Sequence, residues 1–331
     1  MHIDAIIRLI RPGDWVKNLF VVPAFFFALP MVNREAIASG DAAPWVELVV
    51  LTILTFIAFC LVASSVYAFN DVCDAASDRN HPIKRKRPVA AGDVTATQAL
   101  SISLVLLVVG LVLGFFVGLG VGVVLSLYLL LQCAYNGGLK RIMLVDTSIL
   151  AAGFGLRSAA GAMAISVPIS IWLLGCVFFL TLYLAFTKRL CDLSSEELRG
   201  DGNWRSPAGY NNRIELNWLL GVSATLAMVA YLVYAMSDHA MDLFGTRAFG
   251  FALLSPLILI SIHRFYRVSS EGQTDSPLDA LMSDMVLAIA VLLFGIGILV
   301  VLYVPQVQEL LGEIFDVSGY AGQGALSPDS S

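Results

Sequence analysis

Charged side chains are scarce in this sequence. Only 14% of its 331 residues are Asp, Glu, Lys or Arg, whereas a soluble domain carries roughly 25%. Apolar residues make up 58% of the chain, and the mean hydropathy is +0.82. This composition excludes a soluble globular protein and indicates a chain that lies largely within a lipid bilayer.

Cysteine and histidine are also few, with five and four residues. The cysteines show neither the spacing of a metal site nor that of a disulfide framework, so we interpret them as packing residues. The net charge is -5, and the basic residues are confined to a few short segments. We therefore expect no nucleic-acid partner.

Long apolar runs fill the chain from Leu19 to Pro305. A helix needs roughly 20 apolar residues to cross the hydrocarbon layer, and the chain divides into nine such pieces. We predict an all-α polytopic membrane protein with nine transmembrane helices. The predicted spans are Leu19–Ala38, Val46–Phe69, Leu100–Val117, Gly120–Asn136, Met143–Met163, Ile169–Thr187, Leu216–Met236, Ala248–Arg264 and Ser283–Val304.

The basic residues predict the orientation of these spans. With nine spans, 17 of the 20 Lys and Arg residues fall on the side of the N-terminus, and only Arg34 and Arg247 fall on the other. Basic residues near spans are retained in the cytoplasm. The N-terminus is thus predicted to be cytoplasmic, in a bacterial cytoplasmic (inner) membrane. Residues 1–304 are predicted to form one membrane domain, and residues 305–331 a tail outside the cytoplasm, with a short amphipathic helix (Val307–Phe315) before a disordered end.

Four polar residues share one face where the second span ends, if the helix continues past the membrane surface. A helix turns by about 100° per residue, so with Asn70 at zero, Asp74 falls at about 40°, Asp78 at about 80° and Asp71 at about 100°. Like charges at these spacings repel, and a helix C-terminus disfavours negative charge. The simpler interpretation is a solvated helix end, but a basic loop follows at once.

That basic loop includes Arg79, Lys84 and Arg87. Such a loop alone is typical of the cytoplasmic side of a membrane protein. Carboxylate oxygens together with substrate phosphates are the ligands Mg²⁺ prefers, and Lys and Arg suit the phosphates themselves. The two segments together predict a diphosphate bridged by Mg²⁺, with Asn70, Asp71, Asp74 and Asp78 as catalytic residues and the three aspartates as metal ligands.

The sixth span ends in a second charged group, which is predicted to border the same cavity. It contains Tyr183, Lys188, Arg189 and Asp192. Lys188 and Asp192 are one helical turn apart, and an ordinary exposed ion pair is the simpler interpretation.

Arg157 is predicted to lie near the middle of the fifth span. Charge at such depth is costly and points to function. Asp146 precedes it by about three helical turns and differs from it by about 20° in helical phase, so both side chains are predicted to face one interior. A structural ion pair or a snorkelling arginine is the alternative. Lys17, in the N-terminal segment, is a further candidate for a lipid phosphate.

These motifs resemble the UbiA-type intramembrane prenyltransferase superfamily, and within it the branch of decaprenyl-phosphate phosphoribosyltransferases. The superfamily motif matches Asn70-Asp71-x-x-Asp74-x-x-x-Asp78. The branch resemblance rests on four further motifs. They are Arg11-Pro-x-x-Trp15-Val-Lys17-Asn18, Asp78-Arg79-x-His81-Pro82-x-Lys84 with Arg87-Pro88, Leu156-Arg157-Ser-Ala-Ala-Gly161, and Tyr183-x-x-x-x-Lys188-Arg189. One departure is Asp192, where the branch typically has Glu.

The resemblance implies transfer of 5-phosphoribosyl from phosphoribosyl diphosphate to a polyprenyl phosphate, with Mg²⁺ as cofactor. The implied substrate-binding residues are Lys17, Arg79, Lys84, Arg87, Asp146, Arg157, Tyr183, Lys188, Arg189 and Asp192. Two alternatives stay open. One is a prenyltransferase that moves a polyprenyl group from its diphosphate to an aromatic or other small acceptor. The other is a membrane transporter, which the concentration of charge at one membrane face disfavours.

Overall fold

The fold is helical throughout the part of the chain that the structure describes. A computed structural model describes residues 3–29, 44–80, 84–199, 208–271, 274 and 277–315. The described residues pack as two compact units, Met1–Ala185 with Arg205–Asn211 and Phe186–Trp204 with Asn212–Ser331. The predicted division of the chain at residue 304 stays a prediction.

Six main helices lie in the described part of the first unit, and the last of them continues into the second. They are α1 (Ile3–Ile10), α2 (Pro44–Asp78), α3 (Ala96–Val117), α4 (Leu119–Asn136), α5 (Val145–Ala164) and α6 (Ile171–Arg199). Short helical segments connect them, and residues 23–29 are also helical. The connecting segments are Pro12–Val21, Lys84–Lys86, Pro88–Ala91 and Leu139–Arg141.

The second unit has seven further helices. They are α7 (Arg213–Ala235), α8 (Asp238–Phe244), α9 (Arg247–Leu253), α10 (Ser255–Ser270), α11 (Pro277–Ser283), α12 (Met285–Tyr303) and α13 (Pro305–Ile314). The amphipathic helix predicted after residue 304 corresponds to α13. Residues 316–331, predicted to be disordered, lie outside the described residues.

Seven helical stretches among the described residues are long and apolar enough to cross a membrane. They coincide with seven of the nine predicted spans. The first predicted span, Leu19–Ala38, runs into residues 30–43, which are outside the described part. The fifth corresponds to α5, which has the length of a span but carries Asp146 and Arg157 and many small residues. The chain is therefore an all-helical polytopic membrane protein, while the count of nine and the cytoplasmic N-terminus stay predictions.

The core of the first unit joins α2, α4 and α5 to the N-terminal segment. Phe59, Leu125 and Val21 are among its fully buried side chains. Gly161 lets the Pro12–Val21 segment approach α5 closely, because a Cβ at Gly161 would lie 2.0 Å from the carbonyl oxygen of Val21. This contact holds the N-terminal segment against the bundle that carries the aspartates.

Candidate active site

α2 continues past the predicted end of the second span at Phe69 and reaches Asp78, so the three aspartates lie on its last two turns. Asp71 and Asp78 are buried, and Asp74 is half-buried. Their mutual repulsion and the negative end of the helix dipole both oppose this arrangement. It is stable only if cations lie close by.

A separate cation reaches each aspartate. The pairs are Arg11 Nη2 to Asp71 Oδ1 at 2.5 Å, Arg87 Nη1 to Asp78 Oδ2 at 2.7 Å, and Lys140 Nζ to Asp74 Oδ1 at 3.9 Å. Three carboxylates thus face three cations that come from three separate segments of the chain. The charges of these six side chains balance one another.

Arg87 is central to this cluster. Its Nη1 also lies 3.8 Å from Asp71 Oδ1 and 4.0 Å from Asp74 Oδ2. Pro88 begins a single helical turn after it, and Val94 donates a backbone hydrogen bond to the carbonyl of Pro88 at 3.2 Å. The loop that carries Arg87 is therefore folded back on α2 and held there.

α1 supports this loop from outside. Leu9 of α1 packs with Val89 and Val94 of the loop and with Ala68 of α2. Arg8 donates from Nη2 to Asp93 Oδ2 at 2.8 Å. Both apolar and polar contacts thus fix the loop beside the aspartates.

Two side-chain oxygen atoms of this cluster accept no hydrogen bond from the described residues. Asp71 Oδ2 and Asn70 Oδ1 are buried and have no hydrogen-bond partner among the described residues. A buried polar atom without a partner is costly. Carboxylate and amide oxygens are suitable ligands for Mg²⁺, so the donor set fits a divalent cation. No three Asp, Glu, His or Cys side chains of the described residues already converge as a metal site, and Arg87 lies among the aspartates instead.

Arg79 and Lys84, the other basic candidates of this loop, are exposed. Lys17 is also exposed, and its Nζ donates to Asp14 Oδ1 at 2.5 Å. These side chains lie at the surface, in contrast to Arg87. Their predicted binding roles stay predictions.

Arg157 is buried, with 5% of its surface exposed. It donates hydrogen bonds to three uncharged acceptors: Asn18 Oδ1 at 2.8 Å, the Gly153 carbonyl at 2.8 Å and Tyr128 Oη at 3.0 Å. The rings of Tyr128 and Phe154 lie 4.7 and 5.3 Å from its guanidinium carbon. Cation–π contacts and hydrogen bonds together compensate its burial. Arg157 thereby ties α5 to α4 and to the N-terminal segment.

Asp146 is buried as well, but its partner differs from that of Arg157. Tyr210 donates from Oη to Asp146 Oδ1 at 2.7 Å, and the same hydroxyl accepts from the Leu144 backbone at 2.8 Å. Burial raises the pKa of Tyr210 to about 12, so the hydroxyl stays protonated and able to donate. The Tyr210 pair thus anchors the start of α5.

The second charged group lies on α6. Tyr183 is buried, whereas Lys188 is exposed. In the second unit, Arg189 Nη1 lies 3.8 Å from Asp192 Oδ2. The roles predicted for these four residues stay predictions.

Sequence reasoning assigned no role to Arg11 or Lys140, although the structure brings both to the aspartates. Arg11 is part of the first branch motif, and Lys140 belongs to the predicted cytoplasmic loop between the fourth and fifth spans. The only indication in the sequence is that both residues are predicted to lie on the same side of the membrane as the aspartates. Many other basic residues share that side, so this indication does not single out Arg11 and Lys140.

Comparison with known proteins gives the family. The model of the UbiA prenyltransferase family matches residues 21–283. The chain belongs to the UbiA prenyltransferase family. It is accordingly a membrane transferase, and its acidic motif at the end of α2 lies within the matched region.

Two curated relatives are similar to the chain over most of its length, and one solved structure shares its fold. Decaprenyl-phosphate phosphoribosyltransferase of Mycolicibacterium smegmatis is 33% identical over 291 residues, or 87% of this chain and 89% of the relative. That of Mycobacterium tuberculosis is 30% identical over 290 residues, or 88% and 91%. The solved structure of a UbiA homolog from Archaeoglobus fulgidus, bound to GPP and Mg²⁺, covers 90% of this chain and 99% of its own, with 17% identity and a TM-score of 0.63. That likeness shows a shared fold.

Proposed function

We propose that this protein transfers a 5-phosphoribosyl group from phosphoribosyl diphosphate to a polyprenyl phosphate of the decaprenyl type and releases diphosphate. The observation that carries the proposal is the cluster at the end of α2, where three aspartates face three cations and two buried oxygens lack hydrogen-bond partners within the described part of the chain. The names of the curated relatives point to these two substrates.

The cofactor in this proposal is Mg²⁺, held by Asp71, Asp74 and Asp78, with Asn70 beside them. When bound there, the ion would add positive charge at the leaving diphosphate. The aspartates would hold it, and Arg87, whose Nη1 lies within 4.0 Å of a carboxylate oxygen of all three, would contribute a further positive charge to the diphosphate. Arg79 and Lys84 extend the positive surface of the same loop.

The reaction requires little proton chemistry. The bond between C1 of the ribose and the diphosphate oxygen breaks, and its electron pair leaves with the diphosphate. An oxygen of the lipid phosphate, already anionic at neutral pH, forms the new bond to C1. Catalysis then consists of positioning and of stabilising developing charge, and the protein needs no dedicated general base.

The remaining predicted residues are also part of the proposal. Lys17 and Arg157 are proposed for phosphate binding, and Arg157 also holds the N-terminal segment. Asp146 contributes by fixing α5 through Tyr210. Substrate binding by Tyr183, Lys188, Arg189 and Asp192 rests on the sequence motif. Nine spans, a cytoplasmic N-terminus and a cytoplasmic site in a bacterial inner membrane complete the proposal.

A second candidate is transfer of a prenyl group from its diphosphate to a small acceptor. The observation that favours it is the shared fold with the Archaeoglobus fulgidus homolog, which was solved with GPP and Mg²⁺. The same aspartate cluster would serve that reaction. Membership of a transferase family favours both candidates over a transporter.

Membranes that contain the full chain separate the two candidates. They are supplied with Mg²⁺, decaprenyl phosphate and radiolabelled phosphoribosyl diphosphate, and in parallel with radiolabelled prenyl diphosphate and aromatic acceptors. We expect label from phosphoribosyl diphosphate in the lipid extract, lost in Asp71→Asn and kept in Asp4→Asn, which changes an exposed aspartate of α1. Labelled product from prenyl diphosphate alone would contradict the proposal.

A further inference from the structure

Arg11 has an unusual backbone conformation. Its φ of 52° and ψ of 64° lie in the left-handed region, which residues with a side chain rarely adopt. Pro12 follows and disfavours the right-handed helical conformation at Arg11, so α1 ends here. Strained residues of this kind cluster at functional sites when the surrounding structure holds them.

The side chain of Arg11 joins this strained turn to the aspartate cluster. Its guanidinium carbon lies 5.1 Å from the centre of the Tyr67 ring, and its Nη2 reaches Asp71 Oδ1. The Asp71 side chain is completely buried, whereas 26% of the Arg11 side chain is exposed. Arg11 is therefore partly in contact with solvent, whereas Asp71 is not.

The two oxygens of Asp71 are used unequally. Oδ1 accepts from Arg11 and lies 3.8 Å from Arg87. Oδ2 is buried without a hydrogen-bond partner among the described residues. One oxygen of the Asp71 carboxylate is thus bound by a guanidinium, and the other is an acceptor without a hydrogen-bond partner in the described part of the chain. A divalent cation on Oδ2 would be repelled by Arg11 for as long as Arg11 stays on Oδ1.

We propose that Arg11 is an exchangeable cation of the active site. It neutralises Asp71 before substrate binds, and it moves to the phosphate oxygens of the donor when a divalent cation takes its place at Asp71. One charged side chain then serves two anions in turn. This inference rests on the proposed diphosphate donor, and it adds Arg11 to the residues that bind it.

The competing interpretation makes Arg11 a permanent link between α1 and α2. A permanent link contributes to stability and, because it stays on Asp71, repels a metal ion with or without diphosphate. The two interpretations therefore differ in the effect on diphosphate. Removing Arg11 strengthens metal binding under both interpretations, but it weakens diphosphate binding in the presence of metal only if Arg11 moves to the phosphate oxygens.

The test compares wild type with Arg11→Gln, as full-length protein in lipid nanodiscs. Mn²⁺ replaces Mg²⁺ because the loss of its free EPR signal measures binding, and inorganic diphosphate is the second probe. We expect Arg11→Gln to bind Mn²⁺ alone about tenfold more tightly, the order of effect that one neighbouring charge has on proton binding by a carboxylate. With Mn²⁺ present, we expect diphosphate to bind about tenfold more weakly, as for the loss of one charge-assisted hydrogen bond.

Two further variants make the result specific. Arg141→Gln removes one positive charge from an exposed residue next to Lys140 in the chain, and it is expected to change both affinities by less than about twofold, since exposed charges interact weakly. Arg11→Lys keeps the charge and loses the planar fork. It should match wild type for Mn²⁺ alone and bind diphosphate more weakly, and it carries the test if Arg11→Gln does not fold.

The outcomes separate this inference from the proposed function. If wild type binds Mn²⁺ and diphosphate but Arg11→Gln leaves diphosphate binding unchanged, Arg11 is a permanent link. If Arg11→Gln weakens Mn²⁺ binding or leaves it unchanged, Arg11 does not oppose the metal. Either result rules out the exchange, and the proposed function stands. If wild type binds Mn²⁺ but no diphosphate, the proposed donor and the exchange both fail. Absence of Mn²⁺ binding in wild type contradicts both as well.

Discussion

The end of α2 and the start of α12 each hold an aspartate bound by an arginine, and the two pairs differ in what is left over. Asp284 caps α12: its Oδ1 accepts from the Leu287 backbone at 2.8 Å and from Arg264 Nε at 3.2 Å, and its Oδ2 accepts from Arg264 Nη2. Asp71 has one bound oxygen and one without a partner in the described residues. A carboxylate whose two oxygens both accept hydrogen bonds stabilises a helix. A carboxylate with one oxygen left without a donor retains the capacity to bind a ligand.

The surroundings of the two pairs explain this difference. Arg264 donates twice to Asp284, and its hydrogen bond is the main cause that holds the Asp284 pKa below the usual value. At Asp71 the donors are shared with other carboxylates, because Arg87 also serves Asp74 and Asp78. Substitutions at the two sites should therefore distinguish a carboxylate that serves catalysis from one that serves stability.

The largest expected effect is on activity at α2. Asp71→Asn and Asp74→Asn should each lower turnover by about a hundredfold or more, the scale of losing a main electrostatic contact to a leaving group. Radiolabel transfer to lipid measures the activity, and the thermal unfolding midpoint checks that the protein is folded. If both variants retain most of the wild-type turnover, the assignment of these aspartates as metal ligands is wrong.

Arg157→Ala should lower both stability and activity. It removes three hydrogen bonds and leaves a cavity, at a cost of about 2–4 kcal/mol, and it releases Asn18 and the N-terminal segment. We expect turnover per folded molecule to fall at least about tenfold, as when positioning is lost. Arg157→Lys is the matched variant that keeps the charge. A destabilised Arg157→Ala protein with full turnover would show that Arg157 is purely structural.

Tyr210→Phe tests a third buried carboxylate, Asp146. The change deletes the hydroxyl that donates to Asp146 and accepts from Leu144, and we expect a loss of about 2 kcal/mol in the free energy of unfolding. Because the pKa of Tyr210 is raised, its contribution is complete below the unfolded pKa and is lost as pH rises through the folded value of about 12. Unfolding curves from pH 8 to 11 for wild type and Tyr210→Phe measure both effects. Equal stability of the two proteins at pH 8 would contradict a stabilising role for the Tyr210 hydrogen bonds.

The smallest effect is expected at Asp284. Asp284→Ala should cost about 1 kcal/mol for the lost helix cap, and the lost contact with Arg264 adds to this. Turnover per folded molecule should match that of wild type. The Asp284 pKa is lowered, so its contribution is present above the unfolded pKa and disappears as pH falls through the folded one. A loss of activity comparable to that of Asp71→Asn would remove the distinction between the two pairs.

The aspartate face could be predicted from the sequence because it is a local property. No Gly or Pro interrupts the chain from Trp45 to Asp78, so the helix continues past the apolar run. The rotation of about 100° per residue then fixes which side chains share a face. Two of the three cations that satisfy this face, Arg11 and Lys140, are not local. Lys140 reaches Asp74 from a loop that lies 66 positions further along the chain, and only the packing of α2 against α4 and α5 determines that contact.

Asp146 and Arg157 show the same limit. Their spacing predicts that both side chains face the interior, and both are buried. Their partners, however, are Tyr210 and Asn18, which are 64 and 139 positions away. Periodicity identifies the buried face of α5 but carries no information about which segment packs on it. Gly161, which permits the close approach of Val21, was recognised only as part of a motif.

The most direct test of the central claim is a cryo-EM map of the full-length protein with Mg²⁺ and phosphoribosyl diphosphate. We expect density for a metal ion in contact with Asp71 and Asp74, with the diphosphate on its other side and Arg11 turned from Asp71 to a phosphate oxygen. Diphosphate bound elsewhere, with the three aspartates still paired only to Arg11, Arg87 and Lys140, would contradict the claim that this cluster is the catalytic metal site.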